Sequence, residues 1–413
     1  MKGIYLGIEL GDSFCQAAWY NEDKKIPEPI PFSEKYKFPL VLGKLKGENK
    51  WYIGEEAIKE HKKGRVVLIE KLFLILKGKD QVNVDGKKFR SEDLVKIYMA
   101  RFMSMILKKL NKDGILRLTF CIESTQANIT DYLVQISEGL GIARECVQVI
   151  NYKEAFLFFV LSQSQENRRN KSCLFELSNK GLEYYEFNVI RGRKPQPVTV
   201  SYSRLEKKFD VGLLKKASFQ KTTDELLLEY AKKLFNKKLI SSVYLSGSGF
   251  EDASWCKDFT NFICRGKKVF IGEALYAQGG AANSQMGNQP PYLCLCDGRV
   301  LSTVSMKAIQ KEKEYQVVLI KAGTNWYDAR SNVELLLEND EDIEIKVETY
   351  GRRLDRTYRI ACPKVEDRPP KTTRVELTTV FLEDNYMLVK VKDLGFGELY
   401  PSTGKEERKY IRL

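Results

Sequence analysis

Residues Gly3 to Tyr20, GIYLGIELGDSFCQAAWY, constrain the fold more than any other stretch. Ile4, Leu6, Ile8 and Leu10 make an almost continuous apolar run, the pattern of a strand buried on both faces. Gly11-Asp12-Ser13 supplies a turn, and Phe14 to Tyr20 reads as the returning strand. The design comes back at Ser172. Ser172 to Leu177 is a strand, Ser178-Asn179-Lys180-Gly181 a turn and Leu182 to Val189 a second return. A chain that restarts on the same hairpin is expected to be an α/β body in two related halves.

Between the hairpins, Asn21 to Lys37 reads as a Pro- and Lys-rich connection. Phe38 to Leu42 and Trp51 to Gly54 read as paired strands, Glu55 to Lys63 as a helix, and Val66 to Leu76 as an amphipathic segment. Asp85-Gly86 marks a hairpin, and Ser91 is expected to cap a long helix ending near Leu110. A strand at Leu116 to Ile122, a helix at Gln126 to Leu140, a strand at Val147 to Ile150 and a helix from Tyr152 to Ser162 complete the first half. The second continues with a helix from about Thr223 to Lys238, capped by Thr222 or Thr223. Val243 to Leu245 then runs into Ser246-Gly247-Ser248-Gly249. A helix near Ser254 to Ile263, a short strand at Val269 and a small-residue helix from Glu273 to Ala282 follow. Asn283 to Pro291 reads as a linker. Beyond it the period changes to that of strands, at 315–321, 332–338, 342–350, 356–361, 373–382 and 386–392. The predicted division is therefore a body over 1–285, a linker over 286–298 and a β-sandwich over 299–413.

Composition excludes several chemistries. The single His61, in a Lys-rich stretch, leaves no Ser-His-Asp triad or multi-His metal site. The nine cysteines are scattered, Cys294 and Cys296 being read as alternating strand positions. No apolar run spans a bilayer and no signal-type segment opens the chain, so a cytoplasmic location without membrane partners is expected. The net charge of +13 is dispersed in short runs such as Arg168-Arg169-Asn170-Lys171, Arg191-Gly192-Arg193-Lys194 and Lys207-Lys208, which argues for a solvated basic surface and against nucleic acid.

Taken in order, the two hairpins, the glycine turn in VYLSGSGF and the small-residue helix in GEALYAQGGAA resemble the actin-like ATPase fold. With YLCLCDG as an apolar interdomain linker and VVLIKAGTNW, VELTTVFLEDNYMLVKVKD and YPSTGKEER beyond it, the chain is similar to the DnaK-type heat-shock chaperones along essentially its whole length. The resemblance implies ATP or ADP with Mg, two phosphate loops, an adenosine loop and a peptide-binding β domain. Gly11, Asp12 and Ser13 fall in the first phosphate loop; Asn179, Lys180 and Gly181 in the second; Gly247, Ser248 and Gly249 in the adenosine loop. Glu9 and Glu176 fall where carboxylates hold the metal through water. Glu154 falls at the hinge acid and Lys71 at the catalytic lysine. The family's helical lid is not matched and is expected to be absent.

The departures lie at the phosphates. Glu9 and Glu176 stand where the family has Asp, and Asp12 stands where a hydroxyl residue faces phosphate. A carboxylate about 4 Å from a phosphate charge costs on the order of 1 kcal/mol in water and ~4 kcal/mol at an effective dielectric of about 20. Micromolar affinity amounts to ~8 kcal/mol in all. Asn179 and Lys180 replace glycines of the second loop, with Lys180 read as a solvated turn residue, and the lobe that clamps adenine is expected to be mostly missing. The expected function is a degenerate chaperone-like scaffold for protein or extended apolar peptide, with weak or no ATPase activity. A working ATPase with Glu in place of Asp, and an actin-like assembly protein, are the alternatives.

Overall fold

The computed structural model describes residues 3–78, 81–192, 194–287, 291–310, 313–338, 342–351, 355–365 and 368–413. The chain forms two compact units, Met1–Tyr292 and Leu293–Leu413.

In the first unit β1 (Gly3–Leu10), β2 (Phe14–Asn21) and β3 (Ile26–Pro29) form an antiparallel meander. β3 lies in the stretch expected to be a bare connection. Its Pro27 and Pro29 are tolerated because β3 is the edge strand, where one row of N–H groups needs no partner. β4 (Phe38–Pro39) pairs with β2, whereas β5 (Leu42–Leu45) pairs with β6 (Trp51–Ile53) and β7 (Val66–Ile69). The single strand expected at 38–42 is thus two, serving different sheets. α1 (Gly54–Lys62) carries His61, exposed as anticipated. Lys71, at φ 55°, separates β7 from α2 (Leu72–Gly78), so the stretch read as one amphipathic segment is a strand and a helix. β8 (Gln81–Val84) and β9 (Lys87–Arg90) turn on Asp85 and Gly86, both at positive φ. α3 (Ser91–Leu110) begins on Ser91, so the residue expected to cap is the first helical one; Arg90 holds the cap position without a side-chain bond.

β10 (Gly114–Ile122) runs parallel to β1; after α4 (Ala127–Glu138), β11 (Val147–Asn151) runs parallel to β10 and leads into α5 (Tyr152–Ser162). The sheet order is β11-β10-β1-β2-β3. The second half repeats it. β12 (Lys171–Ser178), β13 (Gly181–Val189) and β14 (Gln196–Glu206) form the meander. After α6 (Ala217–Phe235), β15 (Ile240–Ser246) runs parallel to β12; after α7 (Lys257–Ile263), β16 (Lys268–Ile271) runs parallel to β15 and is followed by α8 (Leu275–Met286). The order β16-β15-β12-β13-β14 matches the first half strand for strand.

Three sequence expectations change here. β14 was not foreseen, because Ser, Thr and Arg occupy much of QPVTVSYSRLE. α6 starts before its expected cap: the hydroxyls of Thr222 and Thr223 donate back to the carbonyls of Ser218 and Phe219, inside the helix. Asn283 and Ser284, read as linker, are buried in α8; residues 288–290 of that linker lie outside the described residues, as does Arg193 of the basic run.

β17 (Tyr292–Leu295) spans the boundary between the units, inside the expected linker 286–298. Cys294 is in it and Cys296 follows it, both buried, so the pair does not alternate along one strand. The second unit is built of β18 (Ser302–Gln310), β19 (Lys313–Ile320), β20 (Arg330–Leu337), β21 (Ile343–Thr349), β22 (Arg356–Ile360), β23 (Thr373–Glu383), β24 (Tyr386–Asp393) and β25 (Glu406–Arg412). Two antiparallel sheets result, β19-β18-β21-β22 and β20-β23-β24-β25. Val304 and Ile345 of one share a core with Leu377 and Val389 of the other. Alternation is strict on β24, whose every second residue is buried. Arg368 donates to both oxygens of buried Asp393 at 2.7 and 3.0 Å, tying the loop before β23 to the end of β24. Among the described residues no helix is long and apolar enough to cross a membrane.

Candidate functional site

The two matched hairpins of the first unit meet at a cleft of about 940 Å³. Gly11, Asp12 and Ser13 line it from the β1–β2 turn, Asn179 and Lys180 from the β12–β13 turn, and Gly247 and Ser248 from the turn after β15. Glu9 and Glu176 line it from the ends of β1 and β12. They hold equivalent places: Glu9 is in register with Cys121 of β10, and Glu176 with Ser246 of β15.

Two tyrosines missed by the sequence reading join these carboxylates. Tyr152 opens α5, and Tyr276 lies in the first turn of α8, the corresponding helix of the second half. Their rings stack at 4.1 Å, 4° from parallel. Tyr276 donates to Glu176, and Tyr152 lines the cleft with Glu9 and opposes the rise of its pKa. Each half thus contributes one strand-end glutamate and one helix-start tyrosine, and the halves meet ring to ring. The signal was present in NYKEA and EALYA, each a Tyr beside Glu and Ala where a helix begins.

Burial dominates the chemistry of both acids. It pushes Glu9 up to about 8, with the charge of Glu176 adding to the shift, while Lys37, Tyr152 and Lys180 oppose it. Burial likewise pushes Glu176 up to about 7 against the hydrogen bond from Tyr276. Further along the wall, Glu183 accepts from Tyr202 and Arg204, and Lys153 lies over the Tyr202 ring at 4.6 Å.

Lys180 is exposed on its turn, as expected of a solvated turn residue, and is also a bridge. Its Nζ lies 3.2 Å from Asp12 and 2.7 Å from Glu123, joining the tip of the second hairpin to the first half. Burial pulls its ammonium down, but Glu123 and Asp12 outweigh that and hold it above the ordinary value.

Five other candidates take structural roles. Gly181 and Gly249 are outside the cleft lining. A Cβ on Gly181 would lie 2.1 Å from the Glu206 carbonyl, and one on Gly249 2.5 Å from the Leu177 side chain, so both serve close packing. Gly247 lines the cleft, but its positive φ and 2.3 Å Cβ clearance from the Leu177 carbonyl show the same constraint. Lys71 is exposed and away from the cleft; its carbonyl accepts from Leu74 and Ile75 at the start of α2. Glu154 is buried, and its carboxylate accepts from the Asn151 backbone while the Asn151 side chain accepts from the Glu154 N–H. This is a capping box, which puts the expected hinge acid to work on helix geometry. Asn151→Ala is expected to cost about 1 kcal/mol of stability, measured by urea unfolding; an unchanged midpoint would show that the cap contributes nothing.

The family described as "Family of unknown function (DUF5716) C-terminal" matches residues 28–297. The chain belongs to the DUF5716 family. A second description, "Domain of unknown function (DUF8552)", matches residues 299–413. The DUF5716 match takes in the second hairpin, α5, α8 and Glu176, and begins after Glu9 and the first turn. No curated protein matches the chain.

Proposed function

We propose that this DUF5716 member is a degenerate relative of the DnaK-type chaperones: an actin-like body with an eroded nucleotide site, joined to a β unit that binds protein or extended peptide. One observation carries the reading. Two halves that share a five-strand order present their first hairpins to one cleft, as a phosphate-binding duplicate fold does, yet the hairpin tips are tied to each other by the Asp12–Lys180 pair.

The residues present do not fit a nucleoside triphosphate with magnesium. Nine acidic side chains line the cleft against five basic ones. Lys180 at the second turn is already engaged by two carboxylates. Among the described residues no three His, Cys, Asp or Glu converge on a metal position. A phosphate cradle depends on backbone N–H groups and cations free to face the anion, and here an anion would meet Asp12. The paired glutamates at matching strand ends favour a second reading, a working ATPase, and one experiment separates the two.

Millimolar Mg-ATP is expected to leave the melting temperature of the full chain unchanged and to give no heat on titration. A ligand at 100-fold its Kd stabilises by ~2.7 kcal/mol, so a clear upward shift would show bound nucleotide and overturn the eroded-site reading. Extended apolar peptides are expected to bind the full chain by main-chain pairing and a side-chain pocket. A peptide library with no binder would remove the receptor role.

A further inference from the structure

The chemistry of the same cleft points to a ligand that neither reading supplies. The chain carries a net charge of +13, yet the lining reverses sign, with nine acidic side chains against five basic. A concave surface of one charge in a body of the other concentrates counter-ions. Glu9 faces this cleft at 5% exposure, and among the described residues neither it nor Glu176 is ion-paired to Lys or Arg. Without a paired cation the two groups hold on to protons in the folded chain, and an ammonium arriving from solution takes a proton's place.

A second, independent observation concerns the walls. The stacked Tyr152–Tyr276 pair continues into Tyr185, 6.4 Å from Tyr276, and Tyr202, 5.1 Å from Tyr185. Such a wall takes organic cations on its ring faces, and this one does so already: the chain's own Lys153 sits over Tyr202. At the mouth another internal ammonium, Lys180, bridges Asp12 and Glu123. The chain therefore satisfies two points of the cleft with its own alkyl-ammonium groups and leaves the interior pair without one. A compact metal ion is a poorer match, since among the described residues no three potential ligands converge. Carboxylates spread over both halves and separated by aromatic surface suit a flexible molecule with several charges.

We propose that the cleft binds an aliphatic polyamine, one ammonium lodging by Glu9 and Glu176 against the stacked tyrosines and another reaching Asp12 and Glu123 in place of Lys180. The proposal does not depend on the chaperone reading. A failed peptide screen would remove the receptor role and leave this site standing, and silence with polyamine would do the reverse.

The test is calorimetric titration of the full chain with spermidine at low salt. One saturable site is expected. Glu9→Gln and Glu176→Gln should each weaken it roughly tenfold or more, the scale of one charge-assisted contact. Lys180→Ala, which removes the internal competitor, should tighten it, and Glu229→Gln on the exposed side of α6 should leave it unchanged. Absence of heat at millimolar spermidine overturns the proposal. So does binding of equal strength in both cleft glutamate variants, which would mark diffuse attraction to surface acids. Should a glutamate variant fail to fold, Lys180→Ala at the exposed turn decides: unchanged affinity there also overturns it.

Discussion

Gly279→Ala is expected to destabilise the first unit by more than ~3 kcal/mol, the range of overpacking that cannot relax. Helix propensity alone predicts the opposite sign, a gain of ~1 kcal/mol for replacing a mid-helix Gly by Ala. Geometry decides between them. An added Cβ would lie 1.9 Å from the Ala155 carbonyl oxygen, 2.6 Å from its carbon and 3.1 Å from its Cα. All three are backbone atoms of α5, so no side-chain rotation clears the space. Gly7 on β1 repeats the situation on another side of α8, with a Cβ 2.1 Å from the Ala277 carbonyl and 2.3 Å from the Ala281 nitrogen. These contacts seat α8 against both the opening strand and α5, and so bring Tyr276 onto Tyr152. Gly114→Ala, with nothing within 4 Å of the added carbon, is the control and should change little. Urea unfolding of the three proteins checks this. A Gly279→Ala midpoint at or above that of the parent would mean that the helices are not in backbone contact.

The hairpins and their repetition were legible because a strand buried on both faces has few disguises. Ile4, Leu6, Ile8 and Leu10, and again Cys173, Leu174, Phe175 and Leu177, announce themselves as buried apolar positions. The parallel strands β10 and β15 and the helix α5 were readable for similar reasons. Edge and half-exposed elements were not. β3 was hidden by its prolines, β14 by its hydroxyl residues, and β18 and β25 by polar outer faces. At the site, the resemblance to the actin-like fold put Glu9, Glu176 and both turns in one cleft, and the structure lines one cleft with them. It placed Glu154 at the hinge, and the structure shows its carboxylate in a capping box, a role that a carboxylate at the third position of a helix fills readily. It passed over Tyr152 and Tyr276 because stacking across two halves depends on how close the helices come, which the small side chains of α8 permit but do not announce. The role of Lys180 was invisible for the same reason: Asp12 and Glu123 lie far from it in the chain and near it in space.

The interior glutamates set the second large effect. The protein is expected to lose stability as pH rises from about 5 to about 8, opposite to the usual acid-denaturation slope. Burial raises Glu9 to about 8 and Glu176 to about 7 in the folded state, from an ordinary value of 4.5. Between those values the folded chain holds protons that the unfolded chain has released, so unfolding becomes easier with rising pH. At ~1.4 kcal/mol per pH unit of displacement for each group, the pair costs on the order of several kcal/mol at alkaline pH. Around Glu9 the charges of Lys37 and Lys180 reduce the effect and Glu176 enlarges it; around Glu176, Lys180 opposes Glu183 and Glu123. Groups held low act elsewhere. Asp393, kept below its ordinary range by Arg368 and the Thr403 and Gly395 N–H groups despite its burial, contributes stability that is lost only as pH falls through the acid range. Urea unfolding at three pH values from 5.5 to 8.5 therefore isolates the cleft. Glu9→Gln should flatten the slope and stabilise the protein most at the highest pH, because an amide needs no proton to stay neutral. A variant with the parent's slope would show that Glu9 is not the titrating group. The same substitution that stabilises the chain should weaken its hold on spermidine, so the two measurements together ask whether these acids are kept, against stability, for a cation.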